Sequence, residues 1–476
     1  MIHPEGDHML SQNRRWLILS ILGIFFFMVI VDGSIVAIAI PQISQSLNTA
    51  TGATTLIISV YLITICATLL LFGQFGDQYG RVRIFEIGTF IFLLGSFVAG
   101  VGQVLELVLV GRFVQGIGAS MTMANSYAIV TDTFPAKQLG SAFGVESIFI
   151  SLGALAGPGL GGIILGSLPW GYIFWINLPI GIICLGIELV AFPKSKPQKA
   201  KGIDWHGATL LALAASCLYL LTMQLNVHVV VTVLLFLLMI LFSWQFVRME
   251  KRATQPLLNL TIFRNAMFRK SIVVAFLSFI VSYFFTILAP LYLQLILNYS
   301  TQFSGVLLMV APVVSMIASP AAGYISDHYN QHIEMAVGML ILIGVQVGLL
   351  FLTGKLEPWY FIVLSAVMAA GTAVFGTPNS VLVMQSVPAK LRGMAGSTNS
   401  LVREFGLVLG TTLSTVIFYR VLSLLNHREI DTAIGVSKQT FLLAQRWTYA
   451  AGLLLLCGAL FYIIYAIRKD RKHVRK

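Results

Sequence analysis

Asp32, Arg112, Glu146 and Arg403 each fall inside a run of Leu, Ile, Val, Phe and Gly. A charge at the centre of a bilayer costs about 2.5 to 3.5 kcal/mol on insertion scales, so none of the four should face lipid. If the run starting near residue 16 is a helix rising 1.5 Å per residue, Asp32 lies roughly 24 Å from its inner end, and Arg112, entering from the other side, reaches about 10 Å inward, a similar depth. The two can pair. They then form either a fixed structural bridge or a switch, in which Arg112 keeps Asp32 ionised until one conformation parts them. Glu146 has no such partner and lies roughly 10 Å from the inner end of its run. Dehydration favours the neutral acid of a lone carboxyl, and a neutral acid holds a proton it can exchange. The plain alternative is a side chain that snorkels to the head groups.

These residues need helices in lipid to position them. Of 476 residues, 57% are hydrophobic and only 10% charged, against about 25% charged in a soluble domain. Apolar runs of about 20 residues occur near 16–41, 52–75, 84–103, 105–130, 140–166 and 170–192, and again near 271–297, 303–323, 334–353, 359–383, 394–419 and 445–467. Two more, near 206–226 and 228–247, lie between the sets. The expected fold is an all-α polytopic membrane protein of 14 transmembrane helices. It divides into an N-terminal six-helix half (1–192), a linker with two additional helices (193–270) and a C-terminal six-helix half (271–476).

Most of the 30 Lys and Arg fall on one side of this arrangement, among them Arg14, Arg81, Arg83, Lys137, Lys194, Lys196, Lys199, Lys201, Arg252, Lys390, Arg392 and the tail RKDRKHVRK. By the positive-inside rule both termini face the cytoplasm. The net charge of +12 is thereby a topology signal with attraction to membrane lipids, and no nucleic-acid partner is expected. Residues 1–16 lack a signal-peptide cleavage pattern and are expected to precede the first span. Cys66, Cys184, Cys217 and Cys457 lie in apolar runs without a CxxC pair, so neither a disulfide framework nor a metal site is expected.

The chain is duplicated. Pro41 aligns with Pro290, Gly73 with Gly323, Asp77 with Asp327 and Pro135 with Pro388, at offsets of about 250. Parallel repeats place a substrate site near the bilayer midplane, between halves that rock against each other. The same shifts carry Glu146 to Asn399 and Asp32 to Val281, so the buried acids belong to the first half alone.

GQFGDQYGRVRIF at 73–85 resembles the loop signature between the second and third spans of the major facilitator superfamily. LVLVGRFVQGIGAS at 107–120 resembles its fourth-span arginine motif, and GALAGPGLGG at 153–162, with Gly153, Gly157, Pro158 and Gly161, resembles the fifth-span motif of proton-driven antiporters. With VDGSIVAIAIPQI at 31–43 and NSLVREFGLVLGTTL at 399–413, the chain resembles the 14-span drug:proton antiporter branch. The resemblance implies that Gly73, Asp77, Gly80, Arg81, Arg83 and Asp132 form an ion cluster latching the cytoplasmic side, where simple inside-positive anchoring is the plain alternative. In the second copy Asn330 replaces a glycine and the arginine is missing. Within the fifth span, Glu146 and the glycines share a helical face, and Gly-x-x-x-Gly spacing lets helices approach closely.

Asn399 and Arg403 are expected to face the cavity, with the adjacent Glu404 turned away, and Phe26, Tyr61, Gln115 and Gln294 are further cavity candidates. Glu188, close to Pro193, is expected to snorkel. No GxxxxGK[ST], HExxH or GxSxG pattern is present, so neither an ATP-driven pump, nor an enzyme, nor a cofactor is indicated. The expected activity is proton-coupled antiport exporting amphipathic cationic or zwitterionic compounds, and the alternative is export of an endogenous lipid or metabolite. The expected setting is a monomer in the inner, cytoplasmic membrane, with segment 419–444 as the surface for a periplasmic adaptor protein.

Overall fold

The structure, a computed structural model, describes residues 11–193, 202–224, 229–355, 358–428, 430, 433 and 435–474. Among them there is no β-strand. Thirteen helical segments are long and apolar enough to cross a membrane, and Trp205–Leu221 is a shorter apolar helix. In lipid the backbone must satisfy its own hydrogen bonds, which is why the apolar runs are helical throughout. The long helices of the first half are α1 (Gln12–Ser46), α2 (Leu56–Tyr79), α3 (Arg81–Val101), α4 (Leu105–Thr133), α5 (Leu139–Ser167) and α6 (Asn177–Ala191). Next come α7 (Trp205–Gln224) and α8 (Val229–Glu250). The second half holds α9 (Ala266–Leu291), α10 (Val310–His328), α11 (Gln331–Leu350), α12 (Pro358–Gln385), α13 (Arg392–Asn426) and α14 (Lys438–Val474).

Helices α1–α6 pack among themselves, as do α9–α14, and α7 and α8 form a hairpin whose α7 lies along α2. The two bundles meet mainly through α5 against α10 and α2 against α13. At both crossings glycine allows near contact of backbones. A side chain on Gly140 or Gly323 would run into the other's carbonyl, and one on Gly73 would meet Ser397. These crossings lie at the end of the bundle that holds the α2–α3 and α4–α5 connections, here called the basic end.

Several expectations require correction. Residues 73–85 are not a loop. Gly73 and Asp77 lie on α2 and Arg81 starts α3, so Gly80, at φ 103°, makes the whole reversal alone. That backbone conformation suits a residue without Cβ. Likewise α10 runs to His328, which puts Asp327 on a helix end. The segment 419–444 is largely helical, because α13 extends to Asn426 and α14 begins at Lys438, leaving a far smaller connection. Within that connection 429, 431, 432 and 434 lie outside the described residues, as do Lys194, Lys196, Lys199, Lys201 and the tail's last two residues.

Candidate functional site

Asp32 and Arg112 meet inside the first bundle, both fully buried, between α1 and α4. One Nη of Arg112 donates to Asp32 Oδ2 at 2.5 Å and to Gln115 Oε1 at 2.6 Å, while its Nε donates to the Ile57 carbonyl at 3.0 Å. Asp32 Oδ1 accepts from Gln115 Nε2 at 2.8 Å and from Asn177 Nδ2 at 3.1 Å. The guanidinium carbon lies 3.9 Å from the centre of the Tyr61 ring, a cation–π contact that shares its charge with an aromatic face. Tyr61 and Gln115 are therefore parts of this walled ion pair. Asn177, which completes the shell, sits on α6 with no charge or motif to announce it.

Glu146 lies elsewhere, beside a cavity of about 250 Å³ between the bundles. α5 supplies Glu146, Ser147 and Ser151, while α9, α10 and α12 supply Ser278, Ser319 and Asn379. Asn399 and Arg403 border it from α13. Glu146 is 2% exposed and accepts from Ser126 Oγ of α4 at 2.9 Å. Arg403 donates through Nε to the neighbouring Glu404 at 3.2 Å, so the adjacent side chains pair although only Arg403 borders the cavity. Phe26 is buried behind the cavity, against Tyr127 and 5.8 Å from the Arg403 guanidinium. Gln294 lies in the single π turn Tyr292–Ile296 that continues α9, apart from these groups.

The glycines of α5 face α1. Side chains at Gly153, Gly157 and Gly161 would meet Ile30, Ser34 and Ile35 respectively, and Pro158 sits within the helix. Glu146 stands at the edge of that face, where α5 turns from α1 towards the cavity. Glu188 does not snorkel: it is fully buried and accepts from Thr89 Oγ1 at 3.2 Å, because α6 packs its inner part against α3.

At the basic end the charges knit the bundles together. Asp77 accepts from the backbone N–H groups of Gly393 and Met394, each at 3.0 Å, and so caps the start of α13. Arg81 donates to Asp77 at 2.6 Å, to Asp132, and to the Ala389 carbonyl of the other half at 2.7 Å. Arg392 reaches back to Asp132 at 2.9 Å. Arg83 is exposed and outside this cluster. The second crossing repeats the first: Asp327 accepts from Gly140 N at 2.7 Å, Ser141 N at 2.8 Å and Ser141 Oγ at 2.5 Å, capping α5. The strand of chain between α8 and α9 lies against the same end. Gln74 Nε2 donates to the carbonyls of Gln255 at 3.1 Å and Pro256 at 3.4 Å, and Asn259 N points to Met394 Sδ at 3.0 Å. Among the described residues no group of His, Cys, Asp and Glu could hold a metal ion.

Two helical bundles closed at one end around a central polar cavity find their counterpart in known proteins. The sequence model of the Major Facilitator Superfamily matches residues 22–411. The chain belongs to the major facilitator superfamily. It is 29% identical to the riboflavin transporter RibZ of Clostridioides difficile, over 87% of this chain and 90% of that one. It is 27% identical to multidrug resistance protein 3 of Bacillus subtilis, over 85% and 79% of the two chains. Among solved structures, the human organic anion transporter MFSD10 superposes with a TM-score of 0.64 over 95% of this chain and 100% of that one, at 13% identity. The proton:xylose symporter XylE gives 0.63 over 95% of each chain, also at 13% identity. This major facilitator protein is thus a multi-pass membrane transporter, whose relatives include efflux proteins.

Besides Asn177, three contacts of this transporter are not legible in its sequence. Asp327 was flagged by its alignment with Asp77, but the missing arginine hid its role as a cap. Ser126 and the Gln74 contacts carried no signal, since a serine or glutamine in a span is equally at home as packing.

Proposed function

We propose that the chain is a proton-coupled antiporter that exports amphipathic cationic or zwitterionic compounds by alternating access, with its basic end and both termini in the cytoplasm. The observation that carries the reading is Glu146: a buried carboxyl facing a cavity that both bundles line, at a position where the other half has Asn399. A proton and a substrate cation compete for such a group, which couples their fluxes without direct contact between them. Arg403, paired with Glu404, is the counter-charge across the cavity. Asp32 and Arg112 serve as a second, walled charge pair within the first half, and the two crossings at the basic end act as the latch. The protein works as a monomer in the cell membrane, and segment 419–444 is the surface for a periplasmic adaptor protein.

The test is ethidium efflux from vesicles with purified protein, read together with proton flux. Glu146→Gln should abolish proton-coupled efflux, and Asp32→Asn should impair it. Intact coupled efflux in both variants sinks the reading.

The likeness to a riboflavin transporter favours a second reading, export of an endogenous metabolite. Counterflow distinguishes the two: preloaded metabolite should accelerate labelled-metabolite entry and leave dye exchange unaffected if this second reading holds.

A further inference from the structure

The chain between α8 and α9 crosses from one half of the molecule to the other within a few residues. At its start Glu250, the last residue of α8 and 3% exposed, accepts from Leu258 N at 3.1 Å. Gln74 of α2, also buried, donates through Nε2 to the carbonyls of Gln255 at 3.1 Å and Pro256 at 3.4 Å. The α7–α8 hairpin lies along α2, so these contacts belong to the first half. At Asn259 the chain passes to the second half. Its N–H points to Met394 Sδ of α13 at 3.0 Å, and Asn265 Nδ2, at the start of α9, donates to the Ser386 carbonyl at 2.7 Å. Between the two sets of contacts Leu257 is fully buried, in the apolar core that also holds Met394.

Such a chain cannot follow both halves when α2 and α13 part. Pro256 and Asn259 are three residues apart, a stretch that spans at most about 11 Å when extended, so a wider opening must break one hold. The two holds are unequal. Gln74 and Glu250 offer an amide and a carboxyl to backbone groups in buried surroundings, where breaking a bond leaves polar atoms unpaired. Met394 offers a thioether, a weak acceptor that loses little when its donor leaves. We propose that residues 250–259 form a strap mounted on the first half and hooked on α13 at Met394, a third closure of the basic end, which unhooks at Met394 whenever that end opens. The inference rests on the alternating-access reading of this chain. Once free of Met394, residues 258–265 reach up to about 24 Å as the short 3₁₀ turn Leu260–Arg264 unwinds. The two additional helices thereby have a task, which is to carry the mount of the strap.

Cysteine pairs in protein reconstituted into vesicles, with Cys66, Cys184, Cys217 and Cys457 replaced by Ala, test this. Each pair is joined by a short bifunctional thiosulfonate and released by dithiothreitol, and ethidium efflux is read before, during and after. Asn259→Cys with Met394→Cys fixes the hook, Gln74→Cys with Gln255→Cys fixes the mount, and Ser141→Cys with Asp327→Cys locks the other crossing. Joining the hook or the lock should stop efflux in the linked fraction, with recovery on release, while joining the mount should leave efflux unchanged. If the lock stops efflux and the hook does not, the strap is no closure, and the inference falls while alternating access stands. Efflux that persists under the lock removes the alternating-access reading, and the inference with it. A mount that stops efflux as the hook does shows the strap leaving α2 instead, which overturns the assignment. Two single changes give an independent check without cross-links. With spin labels at the exposed positions Arg83 and Tyr329, Met394→Leu should raise the population open at the basic end about twofold to threefold, the worth of one weak hydrogen bond. Gln74→Leu should leave that population unmoved, because its bonds persist in both states. An open population indifferent to Met394→Leu, or raised by Gln74→Leu, refutes the hook.

Discussion

Replacing Asp327 by Ala removes one of the two caps that hold the bundles together at the basic end. The carboxylate accepts three hydrogen bonds from the opposite half, from Gly140 N, Ser141 N and Ser141 Oγ. Hydrogen bonds to a charged acceptor are worth about 1.5 to 3 kcal/mol each, yet the three share one partly exposed carboxylate that water can replace. Measured losses on deleting a helix N-cap, about 0.5 to 2 kcal/mol, are the closer guide. Taking about 2 kcal/mol, the ratio of the state open at the basic end to the closed state should rise by a factor of ~30. The entire amount enters this equilibrium, because donor and acceptor lie on different bundles and separate when that end opens. Spin labels at the exposed positions Arg83 and Tyr329, one on each half, report the change as growth of a longer-distance population. Asp77 caps α13 through Gly393 and Met394, a different crossing with no shared partner. Its removal should therefore multiply the effect of Asp327→Ala. A distance distribution unchanged in Asp327→Ala would refute the argument, and would mean that the packing of α5 on α10 and the Asp77 crossing close this end without the Asp327 cap.

Two further predictions concern the packing of the first half. Asp32→Asn leaves the fully buried Arg112 cation short of its anion; breaking such a pair costs about 3 to 5 kcal/mol, so the purified variant should melt at clearly lower temperature, with part of the loss recovered in Asp32→Asn/Arg112→Gln. An unshifted melt would show that the pair is not an energetic support. Gly157→Val drives a side chain into Ser34 of α1, an overpacking expected to cost about 1 to 3 kcal/mol. Adding Ser34→Gly should restore much of it, and a melt indifferent to both changes would deny the close α1–α5 approach.

The membrane architecture was legible because lipid imposes a simple rule: each spanning helix must be apolar for about 20 residues. Helix ends were less so, since α13 and α10 continue past their apolar windows as helices whose polar residues still bond internally. Charges in apolar runs marked Asp32, Arg112, Glu146 and Arg403, because such residues stand out against their surroundings. Their grouping was less legible. Depth along a helix allowed Asp32 to pair with Arg112, but nothing in the spacing could enclose Tyr61 and Gln115 in that pair. Phe26 and Gln294 illustrate the same limit, since an aromatic or amide in a span gives no sign of which neighbour covers it.

What the two halves share and what they do not follow from different requirements. Closing one end of a cavity between two bundles needs a contact at each crossing, and the duplicated pairs Asp77 with Gly393 and Asp327 with Gly140 supply both. An exchangeable proton has no such need for symmetry. A second carboxyl at the position of Asn399 would share a cavity of about 250 Å³ with Glu146, and two like charges at close range in a poorly hydrated space hinder each other's ionisation. The asparagine keeps hydrogen-bonding capacity there at no charge, and Arg403, one turn along the same helix, offers the opposite sign instead. On the proposed proton-coupled reading, the asymmetry would let one carboxyl change its protonation state without a second carboxyl at the position of Asn399 opposing it, while the paired caps would serve both halves alike.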